Sequence, residues 1–282
     1  MTTVETQKNM TEPQPALSRQ VGDKLRGRVA FVTGGTRGIG AAISRSLAAQ
    51  GAAVSAGYSG NDEAAAQFRD DFQRDFPDQA FSVHKGDISS PDDCRRTIQE
   101  VIDQQGRLDI LVNNAGITAD RGILKMTDDD WQRVINVNLS GAFYLSQAAL
   151  RHMLERGSGR IINISSVIGE MGNIGQTNYA AAKSGLFGLT KTMAREAAFQ
   201  LQKTGKLEGG IGVTVNTVTP GFIATEMLST MPEKVLDSLR AKIPMARLGE
   251  PEEVARVVHF LAADASGYIT GQVWGVNGGM DM

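Results

Sequence analysis

With 282 residues, 41% of them hydrophobic, the chain can bury one large α/β core or two modest ones. A formal net charge of −2 leaves no basic field for nucleic acid or an anionic membrane. The single cysteine, Cys94, excludes an intramolecular disulfide framework, and His84, His152 and His259 are too scattered to mark a metal site.

No apolar run is long enough to span a bilayer, and the N-terminus lacks the charged-then-apolar layout of a signal peptide. A cytoplasmic protein is therefore expected. Residues 1–24 are polar, with Pro13 and Pro15, and read as a tail outside the fold. Residues 25–282 read as one domain.

That domain is expected to open with a short buried strand, Arg28–Val32. The glycine-rich run Thr33-Gly34-Gly35-Thr36-Arg37-Gly38-Ile39-Gly40 follows and leads into a helix over Ala41–Gln50. A strand, a turn without bulky side chains and a helix N-terminus suit a pyrophosphate, because backbone N–H groups can approach it and the helix dipole favours an anion. The same turn could simply end a strand. A second strand, Ala53–Gly57, runs into Tyr58 and Ser59, with no acidic residue at its end; Asp62 and Glu63 come later and open a helix. An acid there would hold the ribose 2′-hydroxyl of NAD, whereas hydroxyls, amides and Arg37 would accept a 2′-phosphate, so NADP(H) is expected.

Strand Phe81–Lys85 leads to Gly86-Asp87-Ile88, where Asp87 either receives the adenine amino group or caps a turn. Helix Pro91–Gln105 and strand Leu108–Val112 precede Asn113-Asn114-Ala115-Gly116, small and amide residues suited to close approach by a cofactor. A long helix is expected over Asp129–Arg156. Asn138 at its middle predicts a kink or a buried hydrogen bond.

The strand Ile161–Ile164 is followed by Ser166, a loop, and the helical run Tyr179-Ala180-Ala181-Ala182-Lys183. Tyr179 and Lys183 are one turn apart on one face, so an ammonium can favour the phenolate, and Ser166 can offer a hydroxyl to a substrate oxygen. Most such pairs are an ordinary ring beside a solvated amine. Gln200–Gly210 reads as a surface loop, Gly212–Val218 as a strand ending at Pro220-Gly221, and Thr225–Lys242 as an amphipathic segment. Met227, Leu228 and Met231 of that segment suit either a lid over an acyl chain or ordinary packing. A capped helix over Pro251–Ala263 and a last strand, Gln272–Val276, close the chain. Repeated β-α units predict a single-domain α/β fold: a Rossmann-type, doubly wound parallel sheet with helices on both faces.

Taken in order, Thr33-Gly34-x-x-x-Gly38-x-Gly40, Asn113-Asn114-Ala115-Gly116, Asn138, Ser166, Tyr179-x-x-x-Lys183 and Pro220-Gly221 resemble the short-chain dehydrogenase/reductase family from Leu25 to Met282. Within it the chain is similar to reductases of 3-oxoacyl thioesters, most of all those of acetoacetyl-CoA in polyhydroxybutyrate synthesis, with 3-oxoacyl-[acyl-carrier-protein] reductases next. The resembling segments include Lys125-Met126-Thr127, Gly175–Tyr179 and Asn277-Gly278-Gly279-Met280.

The resemblance implies reduction of the 3-keto group with hydride from NADPH, and a proton from Tyr179. Lys183 would stabilise the phenolate and bond the nicotinamide ribose, Ser166 would fix the carbonyl oxygen, and Asn138 would hold a water joining Lys183 to solvent. It implies cofactor contacts from Gly34, Thr36, Arg37, Gly38, Ile39, Gly40, Tyr58, Ser59, Asp87, Ile88, Asn114, Ala115, Gly116, Pro220 and Gly221. Asn173, Ile174 and Gln176 would wall the substrate pocket with Phe222 opposite, and a homotetramer would form. Carrier-protein reductases place basic residues where Gly157 and Gln200 stand here, although Arg156 and Lys203 are close by. A nucleotide-binding regulator without turnover is the alternative of another kind. The intact Asn138, Ser166, Tyr179 and Lys183 set speaks against it.

Overall fold

The computed structural model describes residues 22–207, 211–226 and 232–282. Its strands are β1 (Val29–Val32), β2 (Ala53–Tyr58), β3 (Phe81–Lys85), β4 (Ile110–Asn113), β5 (Ser158–Ile164), β6 (Gly212–Pro220) and β7 (Val273–Val276). All pair in parallel, in the order β3-β2-β1-β4-β5-β6-β7. The chain order reverses between β1 and β4, and a doubly wound sheet opens its ligand crevice at such a point, at the carboxyl ends of the strands.

Two-residue alternation along the strands builds two cores. Ala30, Val32, Ile110, Val112, Ile162 and Ile164 face helices α1 (Gly38–Ala49) and α2 (Asp62–Asp75) and the helix Pro251–Ala262. Val29, Phe31, Leu111 and Ile161 face α3 (Pro91–Gln105) and the helices Gly141–Arg156 and Thr177–Lys203. Helices therefore cover both faces, as the β-α alternation predicts. Among the described residues no helix is long and apolar enough to cross a membrane. Gly22 N–H already bonds the Ala49 carbonyl at 2.8 Å, so the chain joins the fold slightly before residue 25; residues 1–21 of the expected tail lie outside the described residues.

The long helix expected over Asp129–Arg156 is instead α4 (Asp128–Ile135), a π turn (Asn136–Ser140) and α5 (Gly141–Arg156). Long-range contacts impose the break. Asn138 is buried and sends its amide sideways to Ile117, while Gly141 lies so close to α3's approach that a Cβ would sit 2.6 Å from the Ile88 carbonyl oxygen. Behind Ser166 a short helix, α6 (Val167–Met171), replaces part of the expected loop.

The long helix α7 (Thr177–Lys203) carries through Gln200, Leu201, Gln202 and Lys203, so the expected Gln200–Gly210 loop begins only at Thr204. All four are good helix formers, and Gly205, at φ +69°, is where the chain turns. The turn folds back so that Lys206 Nζ donates to the Glu155 carbonyl at 2.7 Å. Of the expected Thr225–Lys242 segment, α8 (Glu233–Arg240) is seen; Met227, Leu228 and Met231 lie outside the described residues. A capping box between Glu250 and Glu253 starts α9 (Pro251–Ala262).

Candidate active site

The site is assembled at the carboxyl ends of β1, β4, β5 and β6. At β1 the turn is built for close approach. Gly34 and Gly38 have φ of +60° and +50°, and a Cβ on Gly40 would fall 2.0 Å from the Gly34 carbonyl oxygen. The N-terminus of α1 has no side-chain cap and no acid in its first turn, so its N–H groups are left for an outside acceptor. Arg37, at the N-cap, is exposed and pairs with no carboxylate among the described residues. Glycines where side chains would clash and an uncapped helix end fit the pyrophosphate of a dinucleotide, and the exposed guanidinium beside them fits a further phosphate.

Thr33, fully buried, ties this turn to the β4 end. Its hydroxyl oxygen accepts from Asn114 N–H and Ala115 N–H, each at 3.0 Å, and Asn114 Nδ2 donates to the Thr33 carbonyl at 2.9 Å. The two lips of the crevice thus share one anchor, whose threonine the sequence reading quoted only as part of the turn. Asp87 does cap a turn, accepting from Ser89 N–H and its hydroxyl at 2.9 and 2.7 Å, and does so through Oδ1 alone.

At β5, Ser165 and Ser166 divide the work. Ser165 Oγ donates to the Lys183 carbonyl at 2.8 Å, pinning α7 to the sheet. Ser166 caps α6 by accepting from Ile168 N–H at 3.1 Å, and its hydroxyl also acts on the Tyr179 phenol, lowering its pKa. Lys183 is 3% exposed, and its Nζ donates to the Ile164 carbonyl at 2.8 Å and lies 5.6 Å over the Tyr179 ring. Gly116 closes the group, since a Cβ there would meet Asn138 Oδ1 at 3.1 Å and Lys183 Nζ at 3.4 Å. The structure therefore brings Asn138, Ser166, Tyr179 and Lys183 to one place.

The electrostatics differ from the expectation of a phenolate favoured by its neighbour. Burial raises Tyr179, against the Ser166 hydrogen bond that lowers it, and the Asp120 charge raises it further. Lys183 is itself lowered to about 8 by burial. Tyr179 is therefore a protonated phenol in this state, ready to donate. Asn138 makes two side-chain hydrogen bonds to one backbone neighbour. Its Oδ1 accepts from Ile117 N–H at 2.8 Å and its Nδ2 donates to the Ile117 carbonyl at 2.9 Å, so its amide clamps the strand-to-loop segment after Gly116.

Of the expected substrate wall, Asn173 and Ile174 are exposed and Gln176 is half-buried. Asn173 Nδ2 donates to Gln176 Oε1 at 2.9 Å, and Gln176 Nε2 donates to both Asp120 oxygens at 3.1 and 3.0 Å. Asp120 was missed by sequence reasoning: it holds Gln176 and acts on Tyr179, yet stands 56 positions from the former. Buried Asn178 was missed too; its Nδ2 donates to the Ala119 and Asp130 carbonyls at 3.1 and 3.0 Å. Phe222, expected opposite this wall, lines a cavity of about 270 Å³ with Gly221, Ile223, Ile243, Met245 and Gly278. Pro220 is buried, and Gly221 abuts Asn277 so closely that a Cβ would lie 2.8 Å from its Cα. No cluster of three or more His, Cys, Asp or Glu able to hold a metal occurs among the described residues.

A family model described as Enoyl-(Acyl carrier protein) reductase matches residues 34–281. The acetoacetyl-CoA reductase of Shinella zoogloeoides is 47% identical over 253 residues, covering 89% of this chain and 98% of that protein. That of Rhizobium meliloti is 48% identical, with the same coverage. The 3-oxoacyl-[acyl-carrier-protein] reductase FabG of Vibrio cholerae is 43% identical over 258 residues, covering 92% of this chain and 99% of that protein.

Proposed function

We propose that this chain, which belongs to the short-chain dehydrogenase/reductase family, is an NADP(H)-dependent reductase of short 3-oxoacyl thioesters, with acetoacetyl-CoA its foremost substrate. It is an oxidoreductase acting on CH–OH groups. The observation that carries the reading is the buried Lys183, whose Nζ lies 5.6 Å over the ring of a protonated Tyr179, with the Ser166 hydroxyl acting on that phenol.

When bound, NADPH supplies the hydride that converts the 3-keto carbon to an alcohol carbon. The turn Gly34–Gly40 and the N-terminus of α1 would hold its pyrophosphate, Arg37, Tyr58 and Ser59 its 2′-phosphate, and Asp87, Ile88 and Asn114–Gly116 the rest of the nucleotide. Ser166 directs its hydroxyl at the carbonyl oxygen, a contact of the oxyanion type. Tyr179 gives its proton to that oxygen as negative charge develops there. A phenol whose pKa burial has raised is a poor acid at rest, so its donation depends on the alkoxide being the stronger base and on Lys183 being charged when the phenolate forms. Lys183 bonds the Ile164 carbonyl, which fixes the amine under the ring without discharging it. Gln176, held by Asp120, would line the thioester side.

One observation favours a second reading, reduction of 3-oxoacyl-[acyl-carrier-protein]. The turn after α7 brings Lys206 onto the end of α5, beside Arg156, so basic groups gather where Gly157 alone offered none. Lys203 nevertheless lies 24 helical positions beyond Tyr179, about 36 Å along α7. A carrier bound there is remote from this protomer's own phenol, and acetoacetyl-CoA stays first. The test is to mix the purified protein with NADPH and acetoacetyl-CoA and follow loss of the reduced cofactor's absorbance; no loss above the protein-free rate would overturn the reading.

A further inference from the structure

An acidic group does stand at the end of β2 in space, although none stands there in sequence. Tyr58 and Lys85 are register partners at the carboxyl ends of β2 and β3. From the first turn of α2, Asp62 reaches back: its Oδ2 accepts from Lys85 Nζ at 2.8 Å, and after burial its carboxylate is what raises the Tyr58 hydroxyl. This is the end of the second strand, where a doubly wound dinucleotide site meets the adenosine ribose. Asp62 can accept from a ribose 2′-hydroxyl, as such an acid does for NAD, and would repel a 2′-phosphate.

We propose that Lys85 is the second cation for the cofactor's 2′-phosphate and that Asp62 is its counterweight, the pair setting how strongly NADPH is preferred over NADH. This rests on the NADP(H) reading above. Both side chains are more than half exposed, at 53% and 62%, so water screens their ion pair and little is lost when Lys85 turns from Asp62 to a phosphate. A phosphate dianion attracts the ammonium more strongly than one carboxylate does. Arg37, with no carboxylate partner among the described residues, supplies the first cation from the β1 turn. Two cations against one carboxylate leave a net positive site for NADP(H). The carboxylate still gives NAD(H) an acceptor, which makes the preference finite.

The experiment measures binding of NADP⁺, NAD⁺ and adenosine 2′-monophosphate by calorimetry at one salt concentration, for the native protein, Lys85→Ala and Asp62→Asn. Loss of one charged hydrogen bond is expected to weaken NADP⁺ and adenosine 2′-monophosphate by about tenfold or more in Lys85→Ala. NAD⁺ should stay within about twofold, because its ribose does not need the ammonium. Asp62→Asn should tighten NADP⁺ and weaken NAD⁺. Equal loss of NADP⁺ and NAD⁺ in Lys85→Ala, or no loss of either, overturns the role of Lys85 while leaving the NADP(H) reading intact. Equal binding of both cofactors by the native protein overturns both.

Discussion

Lys183 Nζ sits 5.6 Å above the centre of the Tyr179 ring and spends its shortest hydrogen bond, 2.8 Å, on the carbonyl of Ile164 at the end of β5. The amine is therefore held by the sheet while the phenol is carried by the helix. Their spacing is set by how α7 packs on β5 and β6 as well as by the helical turn between them.

Tyr179→Phe should abolish nearly all reduction while NADPH binding stays within a few-fold. Removing a general acid costs about 10²–10⁴-fold. Retention of more than about a tenth of kcat would show that another group, or water, delivers the proton.

Lys183 makes stability depend on pH in a direction fixed by its burial. Its pKa falls from 10.5 in the unfolded chain to about 8 in the fold, which corresponds to about 3 kcal/mol against the charged form. Below pH 8 both states carry the proton and the full penalty is present. Between about pH 8 and 10.5 the folded protein has released it and the unfolded chain has not, so stability rises with pH. Urea unfolding of the native protein and Lys183→Met, compared pH by pH without cofactor, should show the native protein gaining on the variant across that window. A flat difference would mean that Lys183 is not desolvated.

Asn138→Ala removes both hydrogen bonds to the Ile117 peptide group. At about 1 kcal/mol net for each, stability should fall by about 2 kcal/mol in urea at unchanged m-value, and reduction should fall with it as Gly116 loses its support. A loss under about 0.5 kcal/mol would mean that water satisfies Ile117 equally well.

The choice of acyl carrier is read from kcat/KM for acetoacetyl-CoA and acetoacetyl-carrier protein at one salt concentration. The CoA ester is expected to win. A preference of about tenfold or more for the carrier protein, about 1.4 kcal/mol, would reverse the ranking and assign docking to Arg156, Lys203 and Lys206.

The family resemblance implies a homotetramer, and helices of the two faces expected to meet in it expose large apolar side chains. Trp131, Phe143 and Phe199 are 39%, 40% and 60% exposed on α4, α5 and α7, and at the β7 end Phe260 and Tyr268 are 46% and 102% exposed. A second and a third copy covering these two faces would remove that area from water. Sedimentation at micromolar concentration showing a monomer would refute this.

The fold was legible because its signals are local. The short apolar runs Val29–Val32 and Ile161–Ile164, the glycines at the β1 turn, and Tyr179 one turn from Lys183 can be read without knowing what packs where. What was hidden depends on partners far along the chain. Asn138 marked a kink or a buried hydrogen bond, but the π turn itself depends on Ile117 and Ile88, 21 and 53 positions before Asn138 and Gly141. Asp120 is an unremarked acid until Gln176 folds against it, and Asp62 reaches the β2 end only because α2 turns back over the sheet. The spacing of Tyr179 and Lys183 shows a neighbour that can favour the phenolate, whereas the burial that raises the phenol is a property of the packed molecule.

The π turn also fixes how much chain lies between β4 and β5. It winds one extra residue into an otherwise continuous helix, and each residue turns an α-helix by about 100°. α4 packs on α7 and α5 packs on α3, so the extra residue lies between two packed halves. Deleting any one residue of Asn136–Ser140 would restore a regular spiral and swing one half of the helix off its neighbour, or carry the Asn138 amide away from Ile117. A surface loop tolerates added or lost residues because its closure entropy changes slowly with length. Here the count itself is under constraint, and a one-residue deletion should be harder on the protein than most substitutions in the same stretch.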